Sequence, residues 1–310
     1  MKDLKNFKLS FVDNTTFAGI DAAGFYSSAL LGGKTADVFK LIPNVKSKIK
    51  LGTLDLGEIL QDADCTFSSA GEGTLDQKSF EVSPIKINLE YCQRTFEVDY
   101  LSQILRAGSN SDASIMPETV ESYLLGQVAK QVTNDLEIAT WQGDTTSLTY
   151  PLSITDGLQK KLDADGTVID VTINAVTAGN VIAEMTKVYD AIPDTILHKE
   201  DLAIMVSSNV YRAYKQALAT ASAETNFMQS YNNLVFLGVQ VVECPGMSAN
   251  KIVAGQKGNF LLLTDLVSDF EDILILPQKS VTGVPVVRMV GDFKFAVDFL
   301  FGAEIVYGQV

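Results

Sequence analysis

The strongest helical period in the chain lies in "SIMPETVESYLLGQVAKQVTNDLEIATWQGD". Val120, Leu124, Val128, Val132, Leu136 and Ala139 recur at three- and four-residue spacing and form one apolar stripe, which predicts a helix over residues 117–142. Pro117 suits the first turn, where its missing N–H has no intrahelical partner anyway, and Glu118 and Glu121 favour the positive end of the helix dipole. At ~1.5 Å per residue the helix spans roughly 40 Å, long for a globular protein. Trp141 falls on the last turn and reads as a packing anchor whose indole N–H seeks a carbonyl, and Gly143-Asp144 stops the helix.

Upstream the period changes. Residues 1–45 are rich in Gly, Ala, Ser and Thr without a sustained period and read as an extended arm, with one short helix near Asp21 to Leu31. Two strand-like sections follow, "VKSKIKLGTLDLGEIL" and "SPIKINLEYCQRTFEV". In the second, Ile85, Ile87, Leu89 and Tyr91 alternate with Lys86, Asn88, Glu90 and Cys92. The pair predicts a long hairpin, with "CTFSSAGEGTLDQKSF" as its tip and Gly71 and Gly73 around Glu72 supplying permissive backbone. A two-stranded hairpin is marginal alone, so it is expected to lie on another chain or a neighbouring domain.

Downstream of the long helix come a turn-rich piece, a helical turn around Leu158 to Leu162 and a strand over Thr167 to Ile173. "NVIAEMTKVYDAIP" places Val181, Met185, Val188 and Ile192 on one helical face, which Pro193 ends. "DLAIMVSSNVYRAYKQAL" reads as a buried strand, a serine cap and a third helix. The remainder is mostly strand, punctuated by turns at Gly246, Gly258 and Gly291. No internal repeat appears, and the class is α+β.

Composition narrows the functions. The 310 residues, 46% hydrophobic and 20% charged, belong to an ordered globular chain of one large or two ordinary domains. A net charge of -14 argues against a sequence-reading nucleic-acid binder, which concentrates Lys and Arg, but is compatible with a container for nucleic acid and with plain solubility. Cys65, Cys92 and Cys244 lack the spacing of a zinc site or disulfide framework, so a reducing cytoplasm is expected. "MKDLKNFKLSFVDNTTF" has no uninterrupted apolar core and the chain no apolar run of ~18 residues, so neither standard export nor membrane insertion is expected.

The residues that invite chemistry have plainer readings. His198 is the sole histidine and sits in the polar loop "PDTILHKED", which removes most triads and multi-histidine metal sites. "LDADGTVID", with Asp163, Asp165 and Gly166, fails the calcium-loop pattern because Lys161 stands where an acid or amide belongs. "AGQKGN" lacks phosphate-loop order and reads as a hairpin turn between two strands. Asp265, Asp269, Glu271 and Asp272 suit a solvated turn, while Cys65 and Cys92 could face each other across the hairpin only in a register the sequence does not fix. No catalytic, cofactor-binding or metal-ligating residue is singled out.

The long helix with its Trp-Gln-Gly-Asp stop, preceded by arm and hairpin, resembles the spine helix of tailed-phage major capsid proteins of the Hong Kong 97 type. "AIMVSSNVYRAYKQAL", "LVFLGVQVVECPGMSANKIVAGQKGNFLLLTDL" and the closing "VPVVRMVGDFKFAVDFLFGAEIVYG" are similar to that family's apical-domain strand, cap and helix, its following strands and its terminal strands. Ser208-Asn209 replaces the usual proline cap, and no long coiled prodomain precedes the arm, so a separate scaffolding protein or intrinsic curvature would guide assembly. No cross-linking Lys-Asn pair is recognisable. The resemblance implies an N-terminal arm over residues 1–45, an E-loop hairpin with flanks over 46–100, a peripheral P-domain with the spine helix over 101–175, an apical A-domain over 176–285 and terminal strands over 286–310 returning to the P-domain. It implies a non-enzymatic shell subunit, forming hexamers and pentamers around double-stranded DNA without sequence specificity. Scaffolding, portal and decoration proteins are its expected partners, and the virion, assembled in the host cytoplasm, its expected location. Phe7, Phe11, Leu54, Gly71, Glu72, Gly73 and Phe80 are then the expected inter-subunit contacts, with the apolar ones buried only on assembly. Alternatives are an encapsulin-like nanocompartment shell and a soluble α+β enzyme or ligand-binding protein.

Overall fold

The computed structural model describes residues 15–17, 33–56, 73–92, 120–221, 234–265, 273–278 and 286–310. In chain order, β1 (Thr15–Phe17), β2 (Lys40–Ile42), β3 (Ile49–Leu56), β4 (Gly73–Phe80) and β5 (Ser83–Cys92) precede the long helix α1 (Val120–Gln142). After it come α2 (Leu158–Ala164), β6 (Ile169–Thr172), α3 (Val181–Asp190), the single turn α4 (Asp194–Leu197), β7 (Leu202–Val206) and α5 (Ser208–Ala221). The last third is β8 (Leu234–Phe236), β9 (Val239–Glu243), β10 (Ile252–Gln256), β11 (Phe260–Thr264), β12 (Ile273–Pro277), β13 (Val286–Phe299) and β14 (Val306–Gln309).

The strands form two six-stranded sheets and one separate ladder. In the first sheet β13 is the axis. One edge pairs with β5 from Val286↔Cys92 to Phe295↔Ser83. The other is shared by β12 and β11, to which β1 and β2 attach. Gly291 lies inside β13 opposite Ile87 and is not a turn, because the alternation of β13 continues unbroken across it. The second sheet runs β6-β14-β10-β7-β9-β8. Val181, Met185 and Val188 of α3 and Val210, Ala213 and Tyr214 of α5 bury against its Ile204, Val206, Ile252 and Ala254. Each such large side chain contributes roughly 1.5–3 kcal/mol by leaving water.

Three expectations about pairing change. The hairpin is β3 with β4, in register from Ile49↔Phe80 to Leu56↔Gly73, whereas the strand expected opposite β3 is β5, which belongs to β13. The half-buried row Ile85, Ile87 and Leu89 packs on the main core, a contact worth more than a place in a two-stranded ribbon. "AGQKGN" is not a hairpin turn either. β10 and β11 lie in different sheets, and a short 3-10 turn, Lys257–Asn259, carries the chain between them. Buried Asn259 holds this crossing by accepting the Leu300 and Phe301 N–H groups and donating to the Phe301 carbonyl at 2.8 Å. Finally, the terminal strands separate: β13 stays in the first sheet and β14 joins the second, between β6 and β10, so sheet membership does not follow a division at residue 285.

The helix α1 carries the main core. Val128, Ala129, Leu136, Ala139 and Trp141 are buried and Val132 is half-buried, as the stripe requires, while the side chains of Val120 and Leu124 lie outside the described ones. Its stop has a steric cause. The Gly143 N–H closes the last turn on the Ala139 carbonyl, and its own carbonyl accepts the Gly157 N–H at 2.8 Å. A Cβ at Gly143 would lie 2.2 Å from the Thr155 carbonyl oxygen, so only glycine permits this approach.

Candidate functional site

The end of α1 is clamped by two segments distant in sequence. Residues 33–39, the base of the arm, lie along it: Thr35 is fully buried and its hydroxyl donates to the Glu137 carboxylate, while its N–H reaches the other carboxylate oxygen at 3.3 Å. The Trp141 indole N–H donates to the Thr35 hydroxyl at 2.8 Å, so the anchor finds a hydroxyl where a carbonyl was expected. Phe39 stacks on Phe260 at 5.3 Å and meets Trp141 edge-on at 5.6 Å, joining arm, helix and first sheet. From the opposite direction the turn after β9 brings Gly246 against the helix backbone, where a Cβ would stand 1.9 Å from the Glu137 carbonyl oxygen. Gln142 Nε2 donates to the Gly246 carbonyl at 2.6 Å, and Lys34 pairs with Glu243 at 2.6 Å.

Burial raises the Glu137 carboxyl above its ordinary range, against the opposing pull of Thr35, the Gly246 N–H and Lys34. Burial likewise pushes up the Cys244 thiol beside it, making it an inert packing group. A carboxyl raised in the folded state binds more protons there than in the unfolded chain, so its contribution grows as pH falls through the raised value and is lost as pH rises. Glu137→Gln removes this titration. The melting temperature of the natural chain is therefore expected to gain on that of the variant as pH falls from neutrality towards 5, measured side by side; a constant difference would show that the carboxyl does not titrate in this junction.

The expected contact residues fall unevenly. Phe7, Phe11, Gly71 and Glu72 lie outside the described residues; Gly73 opens β4 opposite Leu56, and Leu54 pairs with Leu75 in the same ladder. Phe80 corrects the expectation of an apolar residue buried only on assembly: it is 1% exposed within one subunit. With Val45 and Val82 it packs on Leu261, Leu263 and Ala296, and Ile49 and Leu51 join them. Phe80 is thus a root of the hairpin, fixing where the ribbon leaves the first sheet. Lys78 reinforces that root over the Phe299 ring at 3.8 Å.

The candidate chemistry stays plain. His198 is exposed after α4. Asp165 accepts the Thr167 N–H and hydroxyl in a local turn, and buried Asp265 accepts the Lys294 N–H at 2.8 Å. Among the described residues no His, Cys, Asp and Glu side chains gather as a metal site would need, and no helix is long and apolar enough to cross a membrane. Two adjoining open grooves, of about 840 and 480 Å³, run between α1 with the segment after it and the β5–β13 face, the larger lined by Lys86, Asp292 and Lys294 and the smaller by Asp135.

The described residues thus form two sheets, a long helix clamped at its C-terminal end and a separate two-stranded ribbon. The sequence matches no protein-family model and no curated protein, but the fold has close counterparts among solved structures. The chain is similar to one from the satellite phage P4 procapsid including size determination protein, at TM-score 0.59 and 12% identity over 92% of this chain and 98% of that one. It is similar to a chain of the capsid of the native GTA particle, at TM-score 0.59 and 15% identity over 91% and 90%. A chain of the cyanophage A-1(L) capsid aligns at TM-score 0.57 and 13% identity over 91% and 92%. The protein therefore has the phage-capsid fold along nearly its whole length.

Proposed function

We propose that this chain is the major capsid protein of a tailed bacteriophage, assembling through hexamers and pentamers into an icosahedral shell around double-stranded DNA. The observation that carries this reading is the coverage: the shared fold takes in about nine-tenths of this chain and of each capsid chain it resembles. In the Hong Kong 97 layout, residues 1–45 are the arm, β3 and β4 the E-loop, α1 with the first sheet the P-domain, and the second sheet with α3 and α5 the A-domain. The role in this reading is structural.

The mechanism is geometric. The hairpin, rooted by Phe80, reaches across a neighbour, and the arm, rooted by Thr35 on α1, clasps another. Many individually modest contacts acting together hold a closed shell that no single one would. Scaffolding, portal and decoration proteins complete the assembly, which takes place in the host cytoplasm. Particles isolated from cells that make this chain in its native setting, treated with nuclease and then disrupted, are expected to release double-stranded DNA. Release of a protein cargo without nucleic acid would contradict the DNA-enclosing role and favour a nanocompartment.

A further inference from the structure

A basic stripe interrupts the acidity of this chain where the arm runs into the hairpin. Between Asp37 and Asp55 stand Lys40, Lys46, Lys48 and Lys50 and no acidic residue, in a chain whose net charge is -14. All four lysines are exposed. The fold gathers them on one side. Lys40 pairs with Leu261 and Ile42 with Leu263, which places Lys40 on the face of the first sheet that carries the hairpin's root. Lys48 and Lys50 alternate with Ile49 and Leu51, which turn into that root, so the two lysines stand on the ribbon's outward side. Lys294, on the same face of β13 as Ala296, donates to the Lys46 carbonyl at 2.9 Å and adds a further ammonium.

Neighbouring acids do not cancel the stripe. Lys78 is set against Asp298 at 3.4 Å and Lys86 lies opposite Asp292 across the ladder, so neither belongs to it. Lys40, Lys48 and Lys50 make no ion pair among the described residues. The acids beside the stripe there are Asp37, Glu81 next to Phe80, and Asp265, which is buried and accepts the Lys294 N–H, so the ammonium groups stay in excess. Solubility does not account for them, since lysines draw so acidic a chain towards zero net charge. A protein partner fits poorly. Interfaces between proteins are depleted in lysine and built around apolar anchors, and none of the large exposed apolar side chains lies between residues 38 and 52. A phosphate backbone fits, because a repeating line of negative charge needs point charges, which lysine supplies, and no anchor. No arginine stands in the stripe to read base edges.

We infer that the stripe of Lys40, Lys46, Lys48 and Lys50 with Lys294 binds the phosphate backbone of double-stranded DNA without reading its sequence. This assignment rests on the DNA-enclosing role proposed above and names the face that meets the DNA. In the test the full chain is titrated onto a fluorescent random-sequence duplex over a range of salt, and anisotropy gives the log–log slope of affinity against salt. The variant Lys40→Gln, Lys48→Gln, Lys50→Gln breaks no ion pair among the described residues. It is expected to keep the natural melting temperature and to bind with a slope shallower by roughly 2–3. The matched variant Lys199→Gln, Lys215→Gln, Lys257→Gln, on and beside the second sheet, is expected to keep the natural slope. Should the first variant unfold, Lys48→Gln, Lys50→Gln on the ribbon's outward side takes its place, with a change of roughly 1–2. No duplex binding by the natural chain at low salt, or equal losses of slope in the two triple variants, would overturn the assignment. Capture of polyglutamate in place of the duplex would overturn it too, in favour of an acidic protein. Native particles that hold no DNA would remove the DNA-enclosing role by itself, and the duplex slopes would still decide whether the stripe binds phosphate.

Discussion

Trp141→Ala is expected to lower the stability of the subunit by roughly 3–5 kcal/mol, the range for removing a large aromatic side chain from a packed core. Trp141 is fully buried, meets Phe39 edge-on and donates to Thr35, so its loss opens a cavity where α1, the base of the arm and the first sheet meet. Thr35 would keep its bond to Glu137 but lose its second partner. Chemical denaturation followed by far-ultraviolet circular dichroism measures the loss without depending on the protein's one tryptophan. Trp141→Phe separates the two contributions. It retains most of the volume and forfeits the hydrogen bond, so it should cost about 1–3 kcal/mol, the range for leaving a buried polar partner unmatched. A change below about 1 kcal/mol for the alanine variant would mean that the clamp does not anchor the helix.

The second large effect concerns assembly rather than stability. Replacing residues 55–74 with Asn-Gly leaves Leu54 opposite Leu75 and closes the ribbon with the tightest favoured hairpin turn. Ile49, Leu51, Phe80 and Val82 remain at the root, so the subunit should keep its fold within about 1 kcal/mol. Shells should not form, because the part of the hairpin that we propose to reach a neighbour is gone. Normal shells from this variant, seen by electron microscopy, would remove the hairpin from the account of assembly.

How legible these features were in the sequence depends on whether their cause was local. The stripe of α1 predicted its buried residues because a helix face needs only one period, and Gly143 marked the stop because the close approach of Thr155 and Gly157 admits no side chain. Strand pairing was not local. β4 and β5 both precede the helix and both can form strands, and the choice of β5 as the partner of β13 is made some 200 residues away by burial of Ile85, Ile87 and Leu89. "GTLDQKSF" looked like a loop because most of its residues are polar, yet its final Phe80 fixes the hairpin's root. The same limit explains the crossing at Lys257–Asn259: glycine and asparagine announce a turn, but not whether the strands on either side share a sheet. Thr35 and Glu137 carried no signal, since a threonine in a small-residue arm and a glutamate on a helix are ordinary until folding brings them together.

The central claim is that this subunit exists to build a closed shell of its own copies. The most direct measurement is size-exclusion chromatography with multi-angle light scattering on the full chain expressed alone, with negative-stain imaging of the leading fraction. The account predicts uniform closed particles, or flat hexameric and pentameric rings, of many times the 33.6 kDa subunit mass. A stable species at the mass of one subunit, forming no rings or particles at any concentration, would contradict it.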